Sequence, residues 1–98
     1  MISIPREELY NLDIHLAEYI AAALREFKIY YAGIPSDVCS KYSSIQDAQE
    51  DWENILDTMI QCFDLISKEL DYERTVEENK IVNKGLRLFA KYFQSLWI

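Results

Sequence analysis

At 98 residues the chain is long enough for one domain, and with half of its residues hydrophobic and 13% aromatic it is no disordered segment. A formal net charge of −7 repels phosphate backbones and anionic lipid surfaces, so neither direct nucleic-acid binding nor membrane docking is expected. No run of about eighteen uncharged apolar residues is available to span a bilayer.

A chain this short buries roughly 60–65% of its unfolded surface, so its stability depends on close helix packing or on association. Two glycines and two prolines allow few turns, which predicts few, long elements. Cys39 and Cys62 form no spacing framework, so both thiols are expected free in a reducing compartment. The N-terminal residues Met1-Ile-Ser-Ile-Pro-Arg-Glu-Glu lack the basic start and apolar stretch of a secretory signal, which predicts a cytoplasmic home.

In chain order, Pro5 followed by Arg6-Glu7-Glu8 predicts one short helical turn. The first long helix is expected over residues 13–30, with Asn11 or Asp13 capping its amino end. Leu12, Leu16, Ile20, Ala23, Leu24 and Phe27 form its apolar stripe, and the run Ala21-Ala22-Ala23 permits close approach of a partner. Residues 31–44 read as a connection. Gly33 is expected to end the helix in a left-handed conformation, and Pro35 blocks its continuation. The connection carries Tyr31, Ile34, Val38 and Tyr42, which predicts packing across one end of a bundle. Its length suggests a role of its own.

The second long helix is expected over residues 44–69. Ser43 with Gln46 fits a capping box, with Ser44 and Asp47 as the alternative. Trp52, Ile55, Leu56, Met59, Phe63, Ile66 and Leu70 form its core stripe, broadened by Ile60 and Cys62. Glu50, Glu53, Asp57, Gln61 and Asp64 occupy the opposite face. After a tight connection, Thr75 with Glu78 forms a second capping box for a third helix over residues 75–96. Its main apolar face is Val82, Leu86, Phe89, Phe93 and Leu96, with a second stripe through Ile81, Gly85, Leu88 and Tyr92 and with Trp97 on the same side. A helix apolar over so much of its circumference needs neighbours on more than one flank. Gly85 costs about 1 kcal/mol against alanine, which a close helix crossing at that point would explain.

The arrangement expected is all-α: a three-helix up-down-up bundle in a single domain over residues 1–98, preceded by a short turn. The wide apolar surfaces of the second and third helices predict a homodimer.

Candidate chemistry is sparse. Glu50, Glu53 and Asp57 lie one turn apart and suit a shared magnesium ion, as in all-α nucleotide hydrolases. Such enzymes need two acidic pairs from two helices, however, and the third helix offers only Glu77 and Glu78 near its start, so the strip reads as a solvated face. His15 and Glu18 share a helical face, but one histidine cannot furnish a di-iron site. Neither cysteine has a basic neighbour in sequence to activate it. No Gly-rich phosphate loop, nucleophile elbow or Cys-x-x-Cys occurs, and no cofactor is expected. The aromatic residues are the remaining candidates. Trp97, Tyr92, Tyr31 and Tyr42 are amphipathic, of the kind enriched at protein interfaces.

Two blocks carry a resemblance. Trp52-Glu-Asn-Ile-Leu-Asp-Thr-Met-Ile-Gln-Cys-Phe63 resembles a W-x-x-I-L-D-x-M-I-x-x-F pattern. Gly85-Leu-Arg-Leu-Phe-Ala-Lys-Tyr-Phe-Gln-Ser-Leu-Trp97 resembles a G-L-x-L-F-x-K-Y-F-x-x-L-W pattern. Both are similar to small uncharacterised proteins encoded by tailed phages and prophages. The resemblance implies a phage or prophage origin and a bacterial cytoplasm. It brings no activity and no functional residue.

The function expected is therefore a non-enzymatic interaction or assembly module with an unidentified protein partner. The alternatives are a magnesium-dependent nucleotide hydrolase and an acidic nucleic-acid mimic that inhibits a host protein.

Overall fold

The computed structural model describes residues 1–68 and 71–98. Within them a 3₁₀ turn, Arg6–Leu9, precedes helix α1, Leu12–Tyr30, and the four-residue helix α2, Ser36–Cys39. Helix α3, Ile45–Ile66, and helix α4, Val76–Tyr92, follow, and α4 tightens into a second 3₁₀ turn at Phe93–Ser95. No strand occurs among the described residues. The all-α class and the three long helices are as the sequence predicts. The second helix, expected to reach residue 69, ends at Ile66 with Ser67 as its cap, while residue 69 and Leu70 of the expected core stripe lie outside the described residues.

Local chemistry sets most helix starts. Ser44, not Ser43, occupies the cap of α3, and its Oγ accepts from the N–H groups of Gln46 and Asp47 at 3.2 and 3.4 Å. Thr75 and Glu78 complete the predicted capping box. Thr75 Oγ1 accepts from the Glu78 N–H at 3.1 Å, and the Glu78 carboxylate accepts from the Thr75 N–H at 2.9 Å. That backbone N–H, with the Tyr72 hydroxyl, holds the Glu78 carboxyl below its ordinary pKa.

At α1 the expectation holds in position but not in mechanism. Asn11 takes the cap in the left-handed region, at φ 52°, and its side chain makes no capping bond. Its backbone carbonyl instead accepts from Ile14 and His15 at 3.0 and 3.1 Å. The expected left-handed Gly33 is likewise corrected. No glycine has positive φ, and α1 ends because Tyr31 turns extended at φ −58°, ψ 144°.

Helix α3 is the hub. Trp52, Leu56, Met59 and Cys62 are fully buried along it. Arg25 and Lys28 of α1 and Tyr31 just past its end meet, in rising order, Asp64, Asp57 and Glu53 in falling order on α3, so the two helices are antiparallel. Tyr92 packs edge-on against Trp52 while Gly85 and Val82 meet Cys62, so α4 is antiparallel to α3 as well. Helices α1 and α4 therefore run in the same direction. The close helix packings are α1 on α3 and α4 on α3; α1 does not lie across the α3–α4 pair as an even third member. The Cα envelope measures 48 × 39 × 20 Å and the radius of gyration is 15.2 Å, against about 13 Å for a compact domain of this length.

The predicted close crossing is present. A Cβ on Gly85 would stand 2.2 Å from the Cys62 Cβ, 2.9 Å from its Sγ and 3.1 Å from the Thr58 carbonyl oxygen. Only the absence of a side chain lets the two helices meet there. Helix α2 closes one end of the layer by burying Val38 completely.

Candidate interaction surface

On α1 Ala17, Ala21 and Leu24 are buried and Ile20 and Phe27 pack partly buried against the core, so three members of the predicted stripe face inward, whereas Leu12 and Leu16 are 39% and 50% exposed and Ala23 is exposed. On α4 the second stripe, Gly85 and Tyr92 with Val82 beside it, faces α3. Leu86 and Phe93 of the predicted main face are 43% and 60% exposed. The physical reason is steric. Alanine and glycine allow the backbones to approach, and the larger side chains next to them are turned aside.

The displaced side chains gather on one side of the molecule. Ile20, Ala23, Leu24 and Phe27 of α1 and Phe89, Phe93 and Leu96 beyond them line a shallow apolar groove of about 260 Å³ between the two parallel helices. Phe89 stacks edge-on against Phe63 of α3, with centroids 4.9 Å apart, and leans on Phe93 at 5.3 Å. Tyr19 sits at the groove's edge and continues into a second hollow with Ile4, Leu9, Leu12 and Leu16, which Glu7, Glu8 and His15 also line. The result is one apolar face joining α1 to α4. The solvent-accessible surface is 7261 Å², whereas a folded monomer of this mass exposes about 5,800 Å². The exposed residues 1–11 supply part of the surplus.

The four predicted interface aromatics lie toward the end of the bundle where α3 begins and α1 and α4 finish, but in different settings. Trp97 is 66% exposed and next to Leu96, and Tyr42 is 39% exposed beside Asp47, Glu50 and Asp51. Tyr31 is half-buried between α1 and α3 with its hydroxyl 3.3 Å from Glu53. Burial, with Glu53 adding to it, raises its pKa. Tyr92 offers no surface at all. It is 3% exposed and donates to Asp37 at 2.7 Å, tying α4 to α2. That bond, with Lys91 nearby, holds the Asp37 carboxyl below its ordinary pKa. The residues missed as a set are Tyr19, Leu16 and Phe93. Leu16 and Phe93 stood on the predicted apolar stripes and were taken as core, and Tyr19 lies one turn beyond Leu16 on the same face.

The acidic strip of α3 is not simply solvated. Lys28 reaches Asp57 at 2.7 Å and Arg25 forks onto Asp64, so α1 takes up two of its carboxylates. Each cation is raised in pKa by its hydrogen-bonded partner. Glu50 remains exposed. No group of three or more histidine, cysteine, aspartate or glutamate side chains is placed to hold a metal ion among the described residues. His15 and Glu18 are exposed. Burial pushes the Cys62 thiol up to about 11, which keeps it protonated, and it donates to the Val82 carbonyl at 3.3 Å. The Cys39 thiol is half-buried, 3.8 Å from the Ile34 carbonyl. No helix is long and apolar enough to cross a membrane among the described residues.

Comparison with known proteins gives no matching family, no similar curated protein and no similar solved structure.

Proposed function

We propose that the chain is a non-enzymatic protein-interaction module, of the phage-encoded kind its two blocks resemble, and that it binds through the apolar face shared by α1 and α4. The observation that carries this reading is the set Leu12, Leu16, Tyr19 and Phe93. These side chains are spaced as core residues, yet each is 39% to 74% exposed. A contiguous apolar face of that kind marks a protein contact. Of the three carboxylates proposed for a hydrolase, Asp57 pairs with Lys28 and Glu53 accepts from the Tyr31 hydroxyl, while Glu50 is exposed.

Affinity capture tests the reading. Immobilised wild-type chain is expected to retain a protein in stoichiometric amount, either further copies of itself or a component of a bacterial lysate, and Phe93→Glu is expected to lose it. Phe93 is exposed, so the substitution leaves the fold intact. Retention that Phe93→Glu leaves unchanged, or no retention by either chain, contradicts the assignment.

A further inference from the structure

We infer that the outward stripe of α4, formed by Lys80, Lys84, Arg87 and Lys91, is a second contact surface, and that it receives an acidic α-helix of a partner protein. This surface stands apart from the apolar face proposed above and does not depend on it.

The four cations fall at i, i+4, i+7 and i+11, which is one side of a helix over about 16 Å. All four are exposed. Val82, Gly85 and Tyr92 turn the other way, into the core, and Phe89 and Phe93 turn toward the groove, so the stripe lies on the back of the helix. No aspartate or glutamate occurs from Asn79 to Ile98, in a chain whose 17 acidic residues outnumber its 10 lysines and arginines. Arg25, Lys28 and Lys41 are answered inside the molecule, by Asp64, Asp57 and Asp51. Along the stripe only the two ends are answered, Lys80 by Glu77 at 3.5 Å and Lys91 by Asp37 at 3.4 Å, and exposed pairs of this kind hold weakly. Lys84 and Arg87, at its centre, make no ion pair among the described residues.

A helix whose carboxylates recur at i, i+4, i+7 and i+11 repeats this spacing, so it can lie along α4 and offer each cation one carboxylate. Arg87 adds a planar fork that matches a carboxylate. The surroundings favour such a helix over nucleic acid. The stripe has no aromatic platform on which bases could stack, since Tyr92 is buried and Phe89 and Phe93 line the groove. The start of α4, where backbone N–H groups would attract a phosphate, is occupied by the Thr75–Glu78 capping box with Glu77 beside it. The net charge of −7 repels a long polyanion wherever it passes over the protein. Screening confines exposed charges to about 8 Å at physiological salt, so a helix held on the stripe escapes most of that repulsion.

Fluorescence anisotropy with labelled helical peptides tests this. The probe is an alanine-based helix of about 18 residues with glutamate at i, i+4, i+7 and i+11, and its control has the same composition with the glutamates spread around the helix. Wild-type chain is expected to bind the striped probe about fivefold more tightly than the control, with affinity falling as salt rises from about 0.05 to 0.5 M. Lys84→Glu combined with Arg87→Glu is expected to abolish the preference. Arg6→Glu combined with Lys68→Glu, at two exposed cations elsewhere, makes the same change in net charge and is expected to keep it. Phe93→Glu is expected to keep it as well, so failure of the apolar face and failure of the stripe are read separately. Circular dichroism verifies that each variant is folded. The inference is overturned if wild type binds neither peptide at about 1 mM, an affinity of about −4 kcal/mol, or if it binds both equally. It is overturned too if the Arg6 and Lys68 reversals remove the preference as fully as those at Lys84 and Arg87. Tighter binding of a single-stranded oligothymidylate of about 20 nucleotides than of the striped probe would instead assign the stripe to nucleic acid.

Discussion

Gly85 of α4 and Cys62 of α3 meet so closely that a methyl group on the glycine would lie 2.2 Å from the cysteine Cβ. The contact sets the spacing of the two helices and places the Cys62 thiol on the Val82 carbonyl at 3.3 Å. Gly85→Ala gains about 1 kcal/mol of helix propensity but forces the backbones apart against the Thr58 carbonyl. With the Cβ so far inside contact distance the overpacking cost lies at the upper end, about 3 kcal/mol, so the variant is expected to be less stable by about 2 kcal/mol net in urea unfolding. Cys62→Ala keeps the offending Cβ and is not expected to rescue it. An unchanged or raised midpoint for Gly85→Ala would contradict the crossing.

The same cysteine gives the fold an alkaline limit. Its thiol is pushed from 9.0 to about 11, chiefly by burial. The unfolded chain therefore loses this proton first, and the folded chain holds it until pH reaches the raised value. Stability is unaffected below pH 9, falls between about pH 9 and 11, and is lost by about 2–3 kcal/mol overall from this group. The check is the unfolding midpoint of wild type and Cys62→Ala from pH 7 to 11. The difference between them is expected to shrink by that amount across the window, whatever the tyrosines contribute to both. A pH-independent difference would remove Cys62 from the account.

Thr75 caps α4 with both halves of its box in place. Thr75→Ala is expected to lower stability by about 1 kcal/mol, with the loss appearing as faster amide exchange in the first turn of α4. No change in that exchange would mean that the cap contributes nothing there.

How far these features could be read from the sequence depended on whether one residue type has one physical use. Thr75-x-x-Glu78 and a glycine inside an apolar helix each have a single strong interpretation, and both were foreseen. Trp52 to Phe63 carries one dominant stripe, and it forms the core. Helix α1 offers two apolar stripes side by side, one of small residues through Ala17 and Ala21 and one of large residues through Leu12 and Leu16. Periodicity marks both without ranking them. The small stripe won because it brings the backbones of α1 and α3 together and lets Arg25 and Lys28 reach Asp64 and Asp57. Tyr92 was read as a surface aromatic for the same reason. Its partner, Asp37, is 55 positions away in the chain. The four-residue helix at Ser36 is too short to show any period.

Trp97, by contrast, is 66% exposed and follows directly on Leu96 at the groove wall. Trp97→Ala is expected to leave the unfolding free energy within about 0.5 kcal/mol of wild type while weakening association several-fold. Unchanged association together with unchanged stability would take Trp97 out of the contact.

The central claim is that a protein partner covers the face joining α1 to α4. Hydroxyl-radical footprinting of the chain alone and with its captured partner reads that face most directly. In the isolated chain Tyr19 is 74% exposed and Tyr30, further along the same helix, is 63% exposed. The account predicts that Tyr19 and Phe93 are protected in the complex and that Tyr30 is modified at the rate of a free tyrosine. Modification of Tyr19 as fast as Tyr30 would contradict it.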